Sequence, residues 1–154
     1  MKAATAIGKR ATWLARVILC FSFAASIACR GAVVQPIDIA EEDTCSYCRM
    51  AISEKRYSAE FIDRDGQAFK FDDIGCMAQY LKEQKSTNDI AAYFVSDFDS
   101  RRWLTAADAV LLRSKKLNTP MGFGIVAFKE RAAAEQAAQT YQGELLDFGK
   151  LIGK

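Results

Sequence analysis

The chain contains no histidine among its 154 residues, and this absence removes several kinds of chemistry at once. Ser-His-Asp and Cys-His catalysis both use an imidazole as general base, and many zinc sites use histidine as a ligand. Proline is scarce as well, since only Pro36 and Pro120 occur. A metal site in this protein therefore has to rely on cysteine, methionine and carboxylate side chains.

Basic residues are not concentrated in the part of the chain that is expected to fold. Four of the 21 lysines and arginines lie within the first 28 residues, which contain no acidic residue: Lys2, Lys9, Arg10 and Arg16. The remainder carries 17 basic and 19 acidic side chains, a net charge of −2. Without a basic stripe, no nucleic-acid partner is expected.

The first 28 residues are typical of an export signal. A basic start is followed by the uncharged run from Val17 to Ala28, which ends on small residues. As a helix this run would span only about 18 Å, against a hydrocarbon core of about 30 Å, so a permanent membrane span is not expected. The sequence predicts an exported protein with a signal peptide at 1–28.

Cys29 follows this run directly and is the candidate lipidation site. Ser26-Ile27-Ala28 before Cys29 is similar to a bacterial lipobox, in which the cysteine becomes the lipid-modified first residue. Ser26 stands where a lipobox usually has leucine, and the same residues also suit ordinary signal peptidase, which would leave a soluble secreted form. With the lipid anchor favoured, residues 29–44 are predicted to be a tether to the membrane at the periplasmic face.

The mature chain predicts an α+β fold of two small ββαβ units, with halves at about 45–100 and 101–150. The first half has predicted strands at 58–64, 68–71 and 92–98, and a helix from 72 or 73 to about 83. The second has predicted strands at 109–113, 123–128 and 144–148, and a helix at 129–142 that ends at Gly143 in the left-handed conformation. Because about 50 residues bury too small a core alone, the units are expected to pack together.

Cys45, Cys48 and Met50 lie within six residues and form the main candidate metal site, C-x-x-C-x-M. Soft sulfur ligands suit copper(I), whereas zinc prefers four ligands and gains little from a thioether. A C-x-x-C pair is also typical of redox dithiols and structural disulfides. Copper is favoured on the residues alone, with the redox, disulfide and zinc interpretations left open.

Three further residues after position 50 carry sulfur. Cys76 and Met77 fall on the apolar stripe of the first helix, and both are predicted to fill the core. Met121 lies between Pro120 and Gly122 in a loop with a restricted backbone, where an exposed methionine has little value for packing. Met121 is therefore a second candidate metal ligand.

Three separated motifs give the chain a resemblance to the NosL family. They are the C-x-x-C-x-M motif at 45–50, F-D-D-x-x-C-M-x-x-Y at 71–80, and P-M-G-x-G at 120–124, and they are followed by a terminal helix, glycine and strand. The resemblance implies a lipoprotein copper chaperone associated with nitrous-oxide reductase, which binds Cu(I) through the cysteine motif and Met121. Relatives are also expected to use a histidine ligand, so here a second cysteine or Met50 must replace it, or the site is two-coordinate.

The function expected from sequence is therefore Cu(I) delivery without catalysis. The implied partners are a copper-accepting enzyme, nitrous-oxide reductase in the first place, together with a copper donor and a membrane reached through the lipid. The alternative is a periplasmic thiol-disulfide oxidoreductase that uses Cys45 and Cys48. A disulfide between the same two cysteines that only stiffens the loop is the third interpretation.

Overall fold

The computed structural model describes residues 33–83 and 89–153. Its strands are β1 (Ala59–Asp63), β2 (Ala68–Phe71), β3 (Ile90–Ser96), β4 (Trp103–Thr105), β5 (Val110–Arg113), β6 (Ile125–Phe128) and β7 (Glu144–Leu146). Its α-helices are α1 (Ile74–Glu83), α2 (Arg131–Tyr141) and α3 (Phe148–Ile152), and a 3-10 helix covers Lys55–Tyr57. The predicted signal peptide and Cys29 lie outside the described residues. Within them, no helix is long and apolar enough to span a membrane.

The first sheet is antiparallel and has the strand order β2-β1-β3-β4. Its first hairpin turns at Asp65-Gly66, where Gly66 has φ of 83°. The Asp63 carboxylate closes the turn by accepting hydrogen bonds from the backbone N–H groups of Asp65 and Gln67, at 3.0 and 2.8 Å. β4 pairs with β3, so the chain passes to the second sheet only after residue 105.

The second sheet has the order β6-β5-β7 and carries α2 between β6 and β7. The predicted ββαβ order is therefore present in both halves. The two sheets meet at Asp97, which forms a parallel bridge with Ala127. The Asp97 carboxylate also accepts hydrogen bonds from the backbone N–H of Lys129 and, on its other oxygen, from Ser100. Phe71 and Leu111 of the two sheets share one hydrophobic core, as predicted, while Leu112 of the second sheet packs in another cluster with Ala134 of α2.

Two details at the end of α2 and β7 differ from the prediction. The left-handed residue after α2 is Gln142, with φ of 52°, and not Gly143. Gly143 is required for space instead, because a Cβ there would lie 2.6 Å from the Arg113 carbonyl oxygen. β7 ends at Leu146, and Phe148 starts α3, because the Asp147 side chain caps that helix by accepting a hydrogen bond from the Lys150 N–H at 2.8 Å.

Part of the segment predicted as a tether contacts the first sheet. The Ile37 N–H donates to the buried Glu60 carboxylate at 2.9 Å. The Lys70 ammonium donates to the Asp38 carbonyl and forms an ion pair with Asp43. These contacts fix the direction in which the chain enters the C-x-x-C loop.

Candidate metal centre

The C-x-x-C loop is closed on itself and fastened to the edge of the first sheet. The Cys45 N–H donates to the Met50 carbonyl at 2.8 Å, and the Arg49 N–H donates to the Cys45 carbonyl at 3.0 Å. Arg49 takes the left-handed conformation, with φ of 66°, which allows this tight turn. The Ser46 N–H donates to the Lys70 carbonyl on β2, an edge strand with a free row of acceptors. The loop therefore directs Cys45 into the core and leaves Cys48 half-buried.

The start of α1 brings a third thiol to the same place. β2 ends at Phe71, Asp72 follows it, and Cys76 lies in the first turn of α1. The three thiol sulfurs of Cys45, Cys48 and Cys76 and one carboxylate oxygen of Asp72 all lie within 4.8 Å of one another. We call these four residues the thiol cluster. All three cysteines are free thiols, so the described chain contains no disulfide between Cys45 and Cys48.

The thiols of the cluster differ in how easily they ionise. The Cys76 thiol donates a hydrogen bond to Cys45, and this lowers the pKa of Cys45 from 9.0 to about 6. The same bond, together with burial, raises the pKa of Cys76. Burial raises the pKa of Cys48 to about 11, and its thiol donates to the Asp72 carboxylate at 3.4 and 3.5 Å. Cys45 is therefore the thiol of the cluster that ionises most easily.

The two candidate methionine ligands lie on the C-x-x-C loop and on the loop between β5 and β6. Met50 closes the C-x-x-C loop through its carbonyl, and its side chain is 59% exposed. Met121 is 38% exposed, and its backbone N–H donates to Asp73, the neighbour of Asp72, at 3.1 Å. Cys45 and Cys48 are thus brought together, whereas the ligand role of both methionines stays a prediction.

The sequence profile of the family described as NosL matches residues 36–153. The chain belongs to the NosL family. The fold of this NosL-family chain is similar to the crystal structure of the copper chaperone NosL from Shewanella denitrificans, with a TM-score of 0.68 and 18% sequence identity. That similarity covers 77% of this chain and 96% of the Shewanella chain, and it confirms the predicted fold. No curated protein matches the chain significantly.

Two members of the thiol cluster were missed by the reasoning from sequence. The sequence places Asp72 only at the start of the predicted helix, and it predicts Cys76 to be a core residue beside Met77. Both Cys76 and Met77 are indeed fully buried, and the sulfur of Cys76 also lies within 4.8 Å of that of Cys45. The available signal was the spacing of Asp72 and Cys76, which places a carboxylate and a thiol one helical turn apart where a strand runs into a helix.

Four candidate donors come together in this chain without a histidine. Cys76 and Asp72 raise the number of clustered donors to four, in a set of three sulfurs and one oxygen. Three thiolates can also hold a copper(I) ion in trigonal geometry, which leaves the carboxylate outside the coordination sphere. The donor set therefore fits a soft, thiolate-preferring metal ion.

Proposed function

We propose that this NosL-family protein is an exported metallochaperone that binds Cu(I) and delivers it to a copper enzyme, with nitrous-oxide reductase as the client. The observation that carries the proposal is the thiol cluster, in which cysteines from a loop and from a helix meet beside an acidic side chain. The similar Shewanella protein is a copper chaperone, which supports the choice of metal. In this proposal copper is cargo, and the protein carries out no catalytic step.

The chemistry of the donors favours Cu(I) over harder ions. Cysteine binds metal as thiolate, so uptake of an ion by Cys45, Cys48 and Cys76 displaces thiol protons. Cu(I) forms strong bonds with two or three such sulfurs, and it accepts a neutral thioether without extra buried charge. Met50 and Met121 are exposed, and we propose that they contact the ion as it enters or leaves.

The decisive experiment is mass spectrometry of the reduced protein under anaerobic conditions after addition of Cu(I). We expect one Cu(I) per monomer, and we expect Cu(I) to displace zinc in competition. Cys45→Ser should largely abolish uptake, and Cys48→Ser should reduce it severely. Uptake that persists in a Cys45/Cys48 double variant, or zinc that resists displacement by Cu(I), would exclude this function.

A thiol-disulfide oxidoreductase is the competing function, and it fits the cluster less well. The low pKa of Cys45 resembles that of a reactive thiol, but the side chain is fully buried, and an attacking thiolate must be accessible. The more accessible Cys48 has a raised pKa, which lowers its thiolate fraction. The loop also precedes β1, whereas redox C-x-x-C motifs lie between a strand and a helix. Reduction of a disulfide substrate by the metal-free protein would favour the enzyme.

The proposed location is the periplasmic face of a membrane, with the protein held by a lipid on Cys29. Labelled palmitate should enter the wild-type protein and not the Cys29→Ala variant. Cys20→Ala is the matched control, because Cys20 lies inside the predicted signal peptide and would be removed with it. Recovery of the unmodified wild type entirely in the soluble periplasmic fraction would contradict the anchor.

The proposed client, nitrous-oxide reductase, can be tested by direct copper transfer; a separate protein would supply the copper as donor. Copper-loaded protein mixed with copper-free nitrous-oxide reductase should transfer Cu(I) without release into a competing chelator. The Cys45→Ser variant should not transfer copper, since it would carry none. Loss of copper only to the chelator would remove nitrous-oxide reductase from the proposal while leaving Cu(I) binding intact.

A further inference from the structure

Asp73 occupies the junction between β2 and α1, and its side chain is fully buried. One carboxylate oxygen accepts a hydrogen bond from the Gly75 N–H at 2.8 Å, which caps the first turn of α1. The other oxygen accepts from the Thr119 hydroxyl at 2.6 Å and from the Met121 N–H at 3.1 Å. One side chain thus connects the helix that carries Cys76 to the loop that carries Met121.

A second contact joins the same two segments. Gly75 packs against the Phe123 ring so closely that a Cβ at this position would overlap the ring atoms. The Thr119 hydroxyl, which donates to Asp73, also accepts a hydrogen bond from the Gly124 N–H at 3.1 Å. The segment from Thr119 to Gly124 is therefore held against the start of α1 at both of its ends.

The neighbouring carboxylates Asp72 and Asp73 serve different loops. Asp72 contacts the thiol of Cys48 on the C-x-x-C loop, in the first half of the chain. Asp73 contacts the backbone of Met121, on the loop between β5 and β6 in the second half. Neighbouring residues at one junction thereby hold the two loops that carry the candidate sulfur ligands.

We infer that Asp73 is the positioning residue that holds the Met121 loop against the thiol cluster, so that the exposed thioether can reach a Cu(I) ion bound there. The inference rests on the proposed function and extends it to a residue that touches no metal. An exposed methionine has three rotatable bonds, and a loose loop would add backbone freedom that metal binding must then remove. Anchoring the backbone at Met121 removes that part of the cost before the ion arrives.

The test is a double-mutant cycle on Cu(I) retention. Asp73→Asn replaces one acceptor oxygen with an amide donor, so the contacts with Gly75, Thr119 and Met121 cannot all persist. Loss of a residue that orients a ligand typically weakens metal binding about 10- to 100-fold, and we expect Cu(I) transfer to a chelator to accelerate by about tenfold or more. If Asp73 acts through Met121, the same change should add little in a Met121→Leu background.

Two further variants keep the test decisive. Thr119→Val retains the Asp73 carboxylate and removes only the hydroxyl bonded to it. It replaces Asp73→Asn in the double-mutant cycle with Met121→Leu if Asp73→Asn does not fold. Asp97→Asn is the matched control, since Asp97 is also buried and also bonds backbone N–H groups of two segments, but far from the cysteines along the chain. Its Cu(I) retention should equal that of the wild type even where its stability falls.

A readout on the metal-free protein separates the inference from the proposed function. The Met121 amide should be protected from hydrogen exchange in the wild type and exposed in Asp73→Asn. Equal Cu(I) loss in Asp73→Asn and Asp97→Asn, or an effect of Asp73→Asn that adds in full to that of Met121→Leu, overturns the inference. A wild type that binds no Cu(I) refutes the proposed function instead, while an unprotected Met121 amide in the wild type marks failure of the inference itself.

Discussion

The thiol sulfurs of Cys76 and Cys45 lie within 4.8 Å of each other, although Cys45 comes from a loop before β1 and Cys76 from the first turn of α1. Both side chains are fully buried, and hydrogen bonding with Cys76 lowers the pKa of Cys45. The pair joins the two segments that build the thiol cluster. Its ionisation therefore affects both the stability of the metal-free protein and the protons released on metal uptake.

The first prediction concerns the stability of the metal-free protein between pH 6 and 9. The pKa of Cys45 is lowered from 9.0 to about 6, so in this window the unfolded chain binds more protons than the folded one. The free energy of unfolding should rise as pH increases from 6 towards 9. Above pH 9 it should fall again, because the pKa of Cys48 is raised to about 11. Denaturant unfolding at a series of pH values measures both limbs.

The control for this pH dependence is Cys76→Ala. Without the thiol that donates to Cys45, the pKa of Cys45 should move back towards its ordinary value, and thiolate absorbance should titrate at higher pH. Cys45→Ser should abolish the rise between pH 6 and 9 altogether. A wild-type rise that survives in Cys45→Ser would mean that another group causes it.

The second prediction separates Cys76 as a ligand from Cys76 as a core residue. Cys76→Ser changes the buried sulfur to oxygen and should reduce Cu(I) uptake nearly as much as Cys45→Ser, because the cluster loses a soft donor. Met77→Leu is the matched control, since Met77 is the adjacent buried sulfur and the exchange nearly conserves volume. Mass spectrometry of the copper-loaded variants gives the comparison. Full uptake by Cys76→Ser would show that Cys76 is a core residue and not a metal ligand.

The third prediction compares the exposed methionines. Met121→Leu and Met50→Leu should leave the free energy of unfolding within about 0.5 kcal/mol of wild type, because both side chains are exposed and the exchange nearly conserves volume. Both should speed the loss of Cu(I) to a chelator if the thioethers contact the ion. We expect the larger effect from Met121, since hydrogen bonds to Asp73 and within its own loop fix its backbone. Unchanged kinetics in the double variant would remove both methionines from the site.

The fold was predictable from sequence wherever the signal is local. The Asp65-Gly66 turn and the flanking alternation of apolar residues define the first hairpin, and β2 has the predicted bounds. The C-x-x-C motif is local in the same sense. Phe148 was misassigned because an apolar residue after a short strand extends its pattern, whereas the cap formed by Asp147 starts a helix there.

The complete thiol cluster was not predictable in this way. Helical periodicity correctly gives burial for Cys76, but a core residue and a buried ligand have the same period. The distinction depends on the contact between Cys76 and Cys45, which arises only when the C-x-x-C loop attaches to the edge of β2 through Ser46. The C-x-x-C loop and α1 are far apart in sequence, so the residue spacing within either segment does not reveal their contact.

The last prediction tests the corrected end of α2. Gln142 is exposed and left-handed, a conformation that costs most residues about 1–2 kcal/mol, so Gln142→Gly should raise the free energy of unfolding. The gain should be only about 0.5–1 kcal/mol, because glycine also gives the unfolded chain more freedom. Gly143→Ala should instead destabilise the protein by about 1–3 kcal/mol, since the new Cβ would press against the Arg113 carbonyl and the Leu112 side chain.

Denaturant unfolding of both variants provides the measurement, and Cu(I) uptake provides the control. The end of α2 packs beside β5 and carries no member of the thiol cluster, so stoichiometric copper binding should survive both changes. The original expectation, with Gly143 in the left-handed position, predicts the opposite for Gln142. Gln142→Gly would then only loosen the helix end and lower the stability, so the sign of its effect decides between the two conformations.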